Sequence, residues 1–298
     1  MRNFIASNIA YILWFIMYFL IAWIIVWAVT DNAVESFSFV LVMYAISVTV
    51  ALSSIGESIL IAMNGCREPA TEQEREYLIP LFKEVYEQAK KEAPDLNDEI
   101  KLYIMDGMYV NAFAIGRKTI AVTRGAIATF TAEELKGVLA HEFGHMRYGH
   151  TKAMLLSCIG NGFFALIVGI YRFLLSIVES ISGAFAHTNI VVLVIRVLAF
   201  AFRITYDVII FVFVNLGDIV LSINSRANEF QADKFALDIG YGRELISGMY
   251  LLQKISMNAK MSLSQQLKAS HPHLADRISH LEKLEMEVHE QDVSIQTK

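Results

Sequence analysis

From residue 4 to residue 30 the chain carries no charged side chain, a run of about 27 residues where roughly 20 apolar ones suffice to cross the hydrocarbon of a bilayer. The pattern predicts a membrane-spanning helix. Trp14, Trp23 and Trp27 carry the bulky run up to Asp31, whereas a removable signal peptide has a shorter apolar core and a small-residue cleavage site. No cleavage is expected. A second apolar stretch, residues 36–62, is interrupted only by Glu57. The connection holds Asp31 and Glu35 but no Lys or Arg, while Arg2 and Arg67 flank the pair. The bias of positive charge then places both ends in the cytosol and the connection on the far side. Residues 1–63 read as a transmembrane hairpin.

The pattern changes at about Asn64. Within residues 71–92 the apolar positions Leu78, Leu81, Phe82, Val85, Tyr86 and Ala89 recur with helical spacing. Three short segments follow, 101–105, 110–115 and 119–123, rich in β-branched and aromatic residues and punctuated by Gly107 and Gly116. They predict strands of a small sheet. Residues 64–153 thus form the first part of a soluble domain. Hydrophobicity returns over 154–223, enough for two more spans joined near 182–189, with Arg172, Glu179, Arg196, Arg203, Asp207 and Asp218 in or beside them. Such charges are costly in lipid. They are expected to snorkel or to pair, Arg203 with Asp207 at i,i+4 on one helix face; a water-filled cavity lined by them, or two long helices projecting into the cytosol, are the other readings. From 224 to 298 the chain is polar and helical, ending in a frayed tail. About four spans put 64–153 and 224–298 on one side, where they can build one domain.

Composition sharpens this picture in two ways. An apolar fraction of 55% exceeds that of an ordinary soluble protein, and a net charge of -5 argues against a nucleic-acid partner, which would require a basic face. Cys66 and Cys158 lack metal-type spacing and read as apolar fillers without a disulfide.

The chemistry lies in His141-Glu142-Phe143-Gly144-His145. Residues four apart on a helix differ by about 40° around its axis, so both imidazoles project from one face and can grip one metal ion, with Glu142 placed to accept a proton from the attacking water. The helix itself is well supported. Thr131 and Glu134 form a capping-box pattern, Phe130 and Leu135 the accompanying hydrophobic staple, and Val138, Leu139 and Ala140 lead into a core. Zinc needs a third protein ligand and an open fourth position for catalysis. His150 does not have the spacing of a third histidine after a helix-breaking glycine; on a continuing helix it would point about 180° from His141, and it is expected at the surface or helix end. Glu229, with Asp233 one turn on in Ser225-Arg226-Ala227-Asn228-Glu229-Phe230-Gln231-Ala232-Asp233, is the stronger candidate. The second carboxylate could orient a metal-bound imidazole. A solvated acidic helix face would give the same letters.

Together with Asn111-Ala112-Phe113-Ala114 and with His271-Pro272 followed by Arg277, these motifs resemble the HtpX-type membrane zinc metallopeptidases, gluzincins related to the CAAX prenyl proteases. The resemblance covers most of the chain. It implies an α+β fold: a predominantly helical membrane protein of about four transmembrane helices with a zincin-like cytosolic domain containing a small β-sheet. It implies one zinc ion held by His141, His145 and Glu229, with Glu142 as catalytic base and Asp233 behind the ligands. Asn111, Ala112, Phe113 and Ala114 would form an edge strand along which an extended substrate lies, although a plain buried strand fits these residues too. His271 and Arg277 could stabilise the oxyanion of the tetrahedral intermediate, although His271-Pro272 is also an ordinary helix-start signal. Family members often carry a basic residue where this chain has Asn228. The implied role is hydrolysis of misfolded or damaged membrane proteins at the bilayer of a bacterial cytoplasmic membrane; the alternatives are selective CAAX-type processing and a non-catalytic zinc-stabilised scaffold or transporter.

Overall fold

The computed structural model describes residues 2–185, 190–258 and 274–296. The chain divides into two compact units, one of Ala10–Thr49 with Ser157–Leu221, the other of Met1–Ile9, Val50–Leu156 and Ser222–Lys298.

The first unit is built from apolar helices. Helix α1 (Arg2–Thr30) ends where Asp31 takes a left-handed conformation, and Asn32 starts α2 (Ala33–Ala51) by accepting from the backbone N–H groups of Val34 and Glu35. This is the side-chain cap that an exposed helix start needs. Trp23 ties the two together by donating from Nε1 to the carbonyl of Ala33. Tyr44 of α2 packs edge-on against Phe15, Phe19 and Phe163, the last from α8 (Gly162–Phe185). Among the described residues three helical stretches are long and apolar enough to cross a membrane: Ile12–Thr30, Ala33–Ala51 and Gly162–Gly183. The fourth expected span falls on the first half of α9, which runs unbroken from Ile190 to Asp238. Arg196, Arg203 and Asp207 interrupt its apolar run.

One expectation changes here. Arg203 does not pair with Asp207 along its own helix; it reaches Glu179 at 2.9 Å, while Asp207 meets Arg172 at 2.9 Å. Pairing between helices also neutralises the two charges of α8, which pairing along α9 would leave unmatched in apolar surroundings. Helix α9 continues through residue 223, where composition turns polar. No proline occurs between 190 and 238, and a change of polarity alone does not stop a helix.

The second unit holds the sheet. After α3 (Ser54–Met63) come β1 (Cys66–Arg67), α4 (Glu72–Glu92), β2 (Lys101–Met105), β3 (Ala112–Ile115), β4 (Thr119–Thr123), α5 (Arg124–Thr129), α6 (Ala132–Tyr148) and α7 (His150–Leu155). The order is β1-β2-β4-β3: β2 and β4 run parallel, Lys101 opposite Thr119, and β3 is an antiparallel outer strand with Ala112 opposite Val122. Helix α4 opens with a full capping box from Thr71 and Glu74, and α6 with another from Thr131 and Glu134. The core forms where Leu78, Phe82 and Val85 of α4 meet Leu135, Leu139 and Phe143 of α6, Ile104 and Ile120 of the sheet, and Leu245 and Met249 of α10 (Gly242–Asn258). Phe143 sits between Phe82 and Tyr86 at 5.5 and 5.8 Å. Ile278 and Leu281 of α11 (Leu274–Gln296) complete it. Burial of this stripe of α6 fixes which face is left for chemistry.

Candidate metal centre

On α6 the residues Leu135, Leu139 and Phe143 point into the core at successive turns, so His141 and His145 emerge together on another face. That face meets α9, and the meeting is unusually close. A Cβ placed on Gly144 would lie 2.7 Å from Ala232 Cα and 2.9 Å from the Ala232 carbonyl oxygen. Only glycine at this position lets the two backbones approach so nearly.

This approach delivers Glu229. His141 Nε2 and His145 Nε2 are 3.1 Å apart; Glu229 Oε2 lies 3.4 Å from the first and Glu229 Oε1 3.4 Å from the second. For metal–ligand bonds of about 2.0–2.1 Å at tetrahedral angles, neighbouring donor atoms stand about 3.3–3.4 Å apart. The carboxylate thus straddles the two imidazoles, and one donor atom from each of the three residues lies within 4.8 Å of the others, close enough to hold a single ion. Two imidazole nitrogens and one carboxylate oxygen are a donor set that suits zinc and leaves a fourth position open. His141 and Glu229 are each 3% exposed, so little water competes for them.

The far sides of the ligands are held as well. His141 Nδ1 donates to Asp233 Oδ1 at 2.9 Å, which turns its Nε2 lone pair toward the other two donors. Arg277, itself buried, donates through Nε and Nη2 to the two oxygens of Asp233 at 2.8 and 2.6 Å and through Nη1 to Glu229 at 2.6 Å. One guanidinium thus clamps both carboxylates in the fork geometry that arginine favours. Burial and the Arg277 charge act against protonation of His141, yet its hydrogen bonds with Asp233 and Glu229 outweigh them and lift it to about 9. Burial pushes Asp233 up, and Arg277 and His141 more than reverse this, holding it at about 2. The arrangement invites a cation at His141.

Glu142 is 2% exposed on the same helix. Burial acts against the Arg277 charge, and Asp233 and then Glu229 more than reverse this and raise its pKa. Residues Ala112 and Ala114 of β3 are buried and Phe113 is half-buried, in a strand that packs against α6 and, among the described residues, has no strand partner on its other edge. Asn111 precedes the strand, its carbonyl accepting from the Thr123 backbone at 3.0 Å. Asn228 is buried, its side-chain oxygen without a hydrogen bond. His271 lies outside the described residues.

His150 stands at a helix end, one of the two places expected of it. It is 7% exposed and not at the surface, with its Nδ1 3.0 Å from His145 Nδ1 and its Nε2 3.3 Å from Gln231 Oε1. Gly149 ends α6 in the left-handed conformation at φ 75° and caps it, so the helix on which the surface position was reckoned does not continue. Burial and the neighbouring His145 lower His150 to about 3 and keep it neutral. The glycine before it was the available signal.

Comparison with known proteins decides the family. The model described as peptidase family M48 matches residues 72–285. The chain belongs to peptidase family M48. An M48 chain is a protease acting on peptide bonds, and the three helices among the described residues that are long and apolar enough to cross a membrane make this one an integral membrane metallopeptidase. It is similar to Protease HtpX of Pasteurella multocida, 26% identical over 304 residues that cover 95% of this chain and 97% of that protein. Protease HtpX of Glaesserella parasuis is 28% identical over 83% of this chain and 85% of that one. Among solved structures, the crystal structure of S. mikatae Ste24p aligns with a TM-score of 0.46 and 18% identity over 88% of this chain, which spans about three fifths, 61%, of that protein. The HtpX-type resemblance read from the motifs is thereby borne out.

Proposed function

We propose that this M48 chain is a zinc-dependent endopeptidase that hydrolyses segments of misfolded or damaged membrane proteins on the cytosolic face of a bacterial cytoplasmic membrane. The observation that carries the reading is the convergence of His141, His145 and Glu229, whose carboxylate spans the two imidazole nitrogens at 3.4 Å from each, a donor set that suits zinc with a fourth position open. When bound, zinc would supply Lewis acidity, polarising the scissile carbonyl and lowering the pKa of water.

The chain's own residues do the rest. Glu142 accepts the proton of the attacking water and passes it to the leaving amine, a general acid–base contribution of about 10² to 10⁴ in rate. Asp233 keeps the His141 proton on Nδ1 and its Nε2 free. Arg277 holds Asp233 and Glu229 in register, and with all three of its guanidinium nitrogens on carboxylates its first task is positioning; His271 is the remaining candidate for oxyanion contact. The outer edge of β3, at Asn111, Ala112, Phe113 and Ala114, offers backbone groups to an extended peptide beside α6. Residues 1–63 and 154–223 anchor the enzyme in lipid, and 64–153 with 224–298 form the catalytic domain. Arg2 and Arg67 flanking the first hairpin support a cytosolic orientation. A strand edge reads backbone more than side chains, which supports breadth of substrate over selective processing.

The test is cleavage of casein and of a destabilised membrane protein by the detergent-purified full chain supplied with zinc, beside Glu142→Gln. Cleavage by the wild type alone at equal zinc content is expected. Cleavage by Glu142→Gln at the wild-type rate would overturn the assignment of the base, and absence of bound zinc would overturn the metal.

A further inference from the structure

A metal at this centre would use one ring nitrogen of each histidine. The second nitrogen of His141 has Asp233; the second nitrogen of His145 meets a neutral chain, His150 and then Gln231, to which the proposed chemistry assigns nothing. The contacts are His145 Nδ1 to His150 Nδ1, 3.0 Å, and His150 Nε2 to Gln231 Oε1, 3.3 Å.

Donors and acceptors along this chain can be matched in one direction. If His145 Nε2 keeps its lone pair for a metal, a neutral His145 carries its proton on Nδ1 and donates it to His150 Nδ1. His150 Nδ1 is then an acceptor, so its own proton sits on Nε2 and is donated to Gln231 Oε1. An amide oxygen accepts only, and the chain ends there with every contact satisfied. A reversed amide would demand the opposite polarity: Gln231 would donate, His150 would carry its proton on Nδ1, and His145 would be protonated on Nε2, facing the metal. The orientation of one half-buried amide therefore selects the tautomer of a ligand.

The geometry points to His150 and Gln231 as positioning residues that hold His145 in its Nδ1–H tautomer and so set the metal affinity of the site. This rests on the metal reading proposed above. Two features keep the chain in place. Gly149, left-handed at φ 75°, turns the backbone so that His150 comes back onto His145, and the Tyr148 ring stacks on His150 at 5.8 Å between centroids. Gln231 stands two residues beyond Glu229 on α9, so one helix supplies both a ligand and the far end of the chain that orients another. The two histidines are then held unequally: a carboxylate backs His141 and a neutral imidazole backs His145. Partners of this kind usually change metal affinity by about 10- to 100-fold when removed.

The experiment uses the full chain in detergent. Zinc affinity is read by competition with a chelating dye, and the Co(II)-loaded protein by proton NMR in water, where imidazole N–H groups of metal ligands give exchangeable, paramagnetically shifted resonances. Two such resonances are expected in the wild type, from His141 and His145. His150→Phe keeps a stacked ring and removes the acceptor; it should lose one resonance and about 10- to 100-fold in zinc affinity, while Asp233→Asn alters the other resonance. Gln231→Leu leaves His150 in place and should broaden the same resonance that His150→Phe removes, which keeps the test available if His150→Phe fails to fold. Both resonances retained in the two variants, with zinc affinity within threefold of wild type, would overturn the inference. A wild type that binds no zinc or cobalt, or a His145→Ala variant that binds as wild type does, would overturn the metal reading itself and the inference with it.

Discussion

Replacing Gly144 by alanine adds one methyl group at the closest approach of the ligand helices. That methyl would stand 2.7 Å from Ala232 Cα and 2.9 Å from the Ala232 carbonyl oxygen, whereas non-bonded carbons settle at about 3.5–4.0 Å. Because the obstacle is backbone, no rotamer change relieves it, and α9 must retreat from α6 by roughly 0.7 Å or more. Metal sites tolerate displacements of about 0.2 Å in their ligand distances, so the retreat carries Glu229 out of range. Overpacking of this kind costs about 1–3 kcal/mol. If the metal-free protein releases that strain by separation and the loaded protein cannot, zinc affinity falls by roughly 5- to 150-fold. The assay is chelator competition on wild type and Gly144→Ala, with thermal melting of both in the metal-free form. Gly248→Ala is the control: its nearest neighbours stand at 3.5, 3.7 and 3.8 Å, ordinary contact, and the exchange should stabilise α10 by about 0.5–1 kcal/mol. Zinc affinity of Gly144→Ala within twofold of wild type would refute the argument that this close approach sets the site.

Removal of Arg277 by Arg277→Leu leaves Asp233 and Glu229 buried without their shared counter-charge; a loss of about 3–5 kcal/mol is expected in metal-free melts, smaller with zinc present, and a loss under about 1 kcal/mol would contradict the clamp. Acid stability should depend on Glu74, whose hydrogen bonds from Arg67 and then Ala70 hold its carboxyl down at about 2. A carboxyl depressed in the folded state contributes stability above its unfolded pKa of about 4.5 that is lost as pH falls toward 2, so the stability gap between wild type and Glu74→Gln should narrow over that window, and a gap constant with pH would count against it. Stripping metal with a chelator should lower stability by about 2.7 kcal/mol relative to protein at a free zinc level 100 times its Kd; in Glu229→Ala, chelator should change nothing, and an unchanged chelator response there would remove Glu229 from the site.

What could be read from the sequence was local. Thr131 and Glu134 announce the start of α6 because a capping box is complete within four residues, and His141 and His145 share a face because four residues make about one turn. Glu229 could be named only by need, since nothing in its own segment separates a metal ligand from a solvated acid. Its confirmation as a neighbour of His141 depended on Gly144, whose meaning is a distance to another helix. The helix-end position of His150 was legible but its burial was not, because Gly149 turns left-handed and folds the next residue back. The partners of Arg203 and Asp207 were sought on one helix, where a sequence shows them, and lie on the facing one. The role of Arg277 as a clamp on two carboxylates was equally out of reach, because both partners come from α9.

The donors of the metal centre come from segments far apart in the chain: His141 and His145 lie before the second hydrophobic block and Glu229 after it. During synthesis at about 5–20 residues per second, Glu229 follows His145 by roughly 4–17 seconds, and Arg277 arrives later still. The newborn chain therefore holds the proposed base and two histidines without a complete set of donors until the intervening hydrophobic stretch has left the ribosome. Under the proposed ligand set, hydrolysis cannot begin before residues on both sides of that stretch have been made.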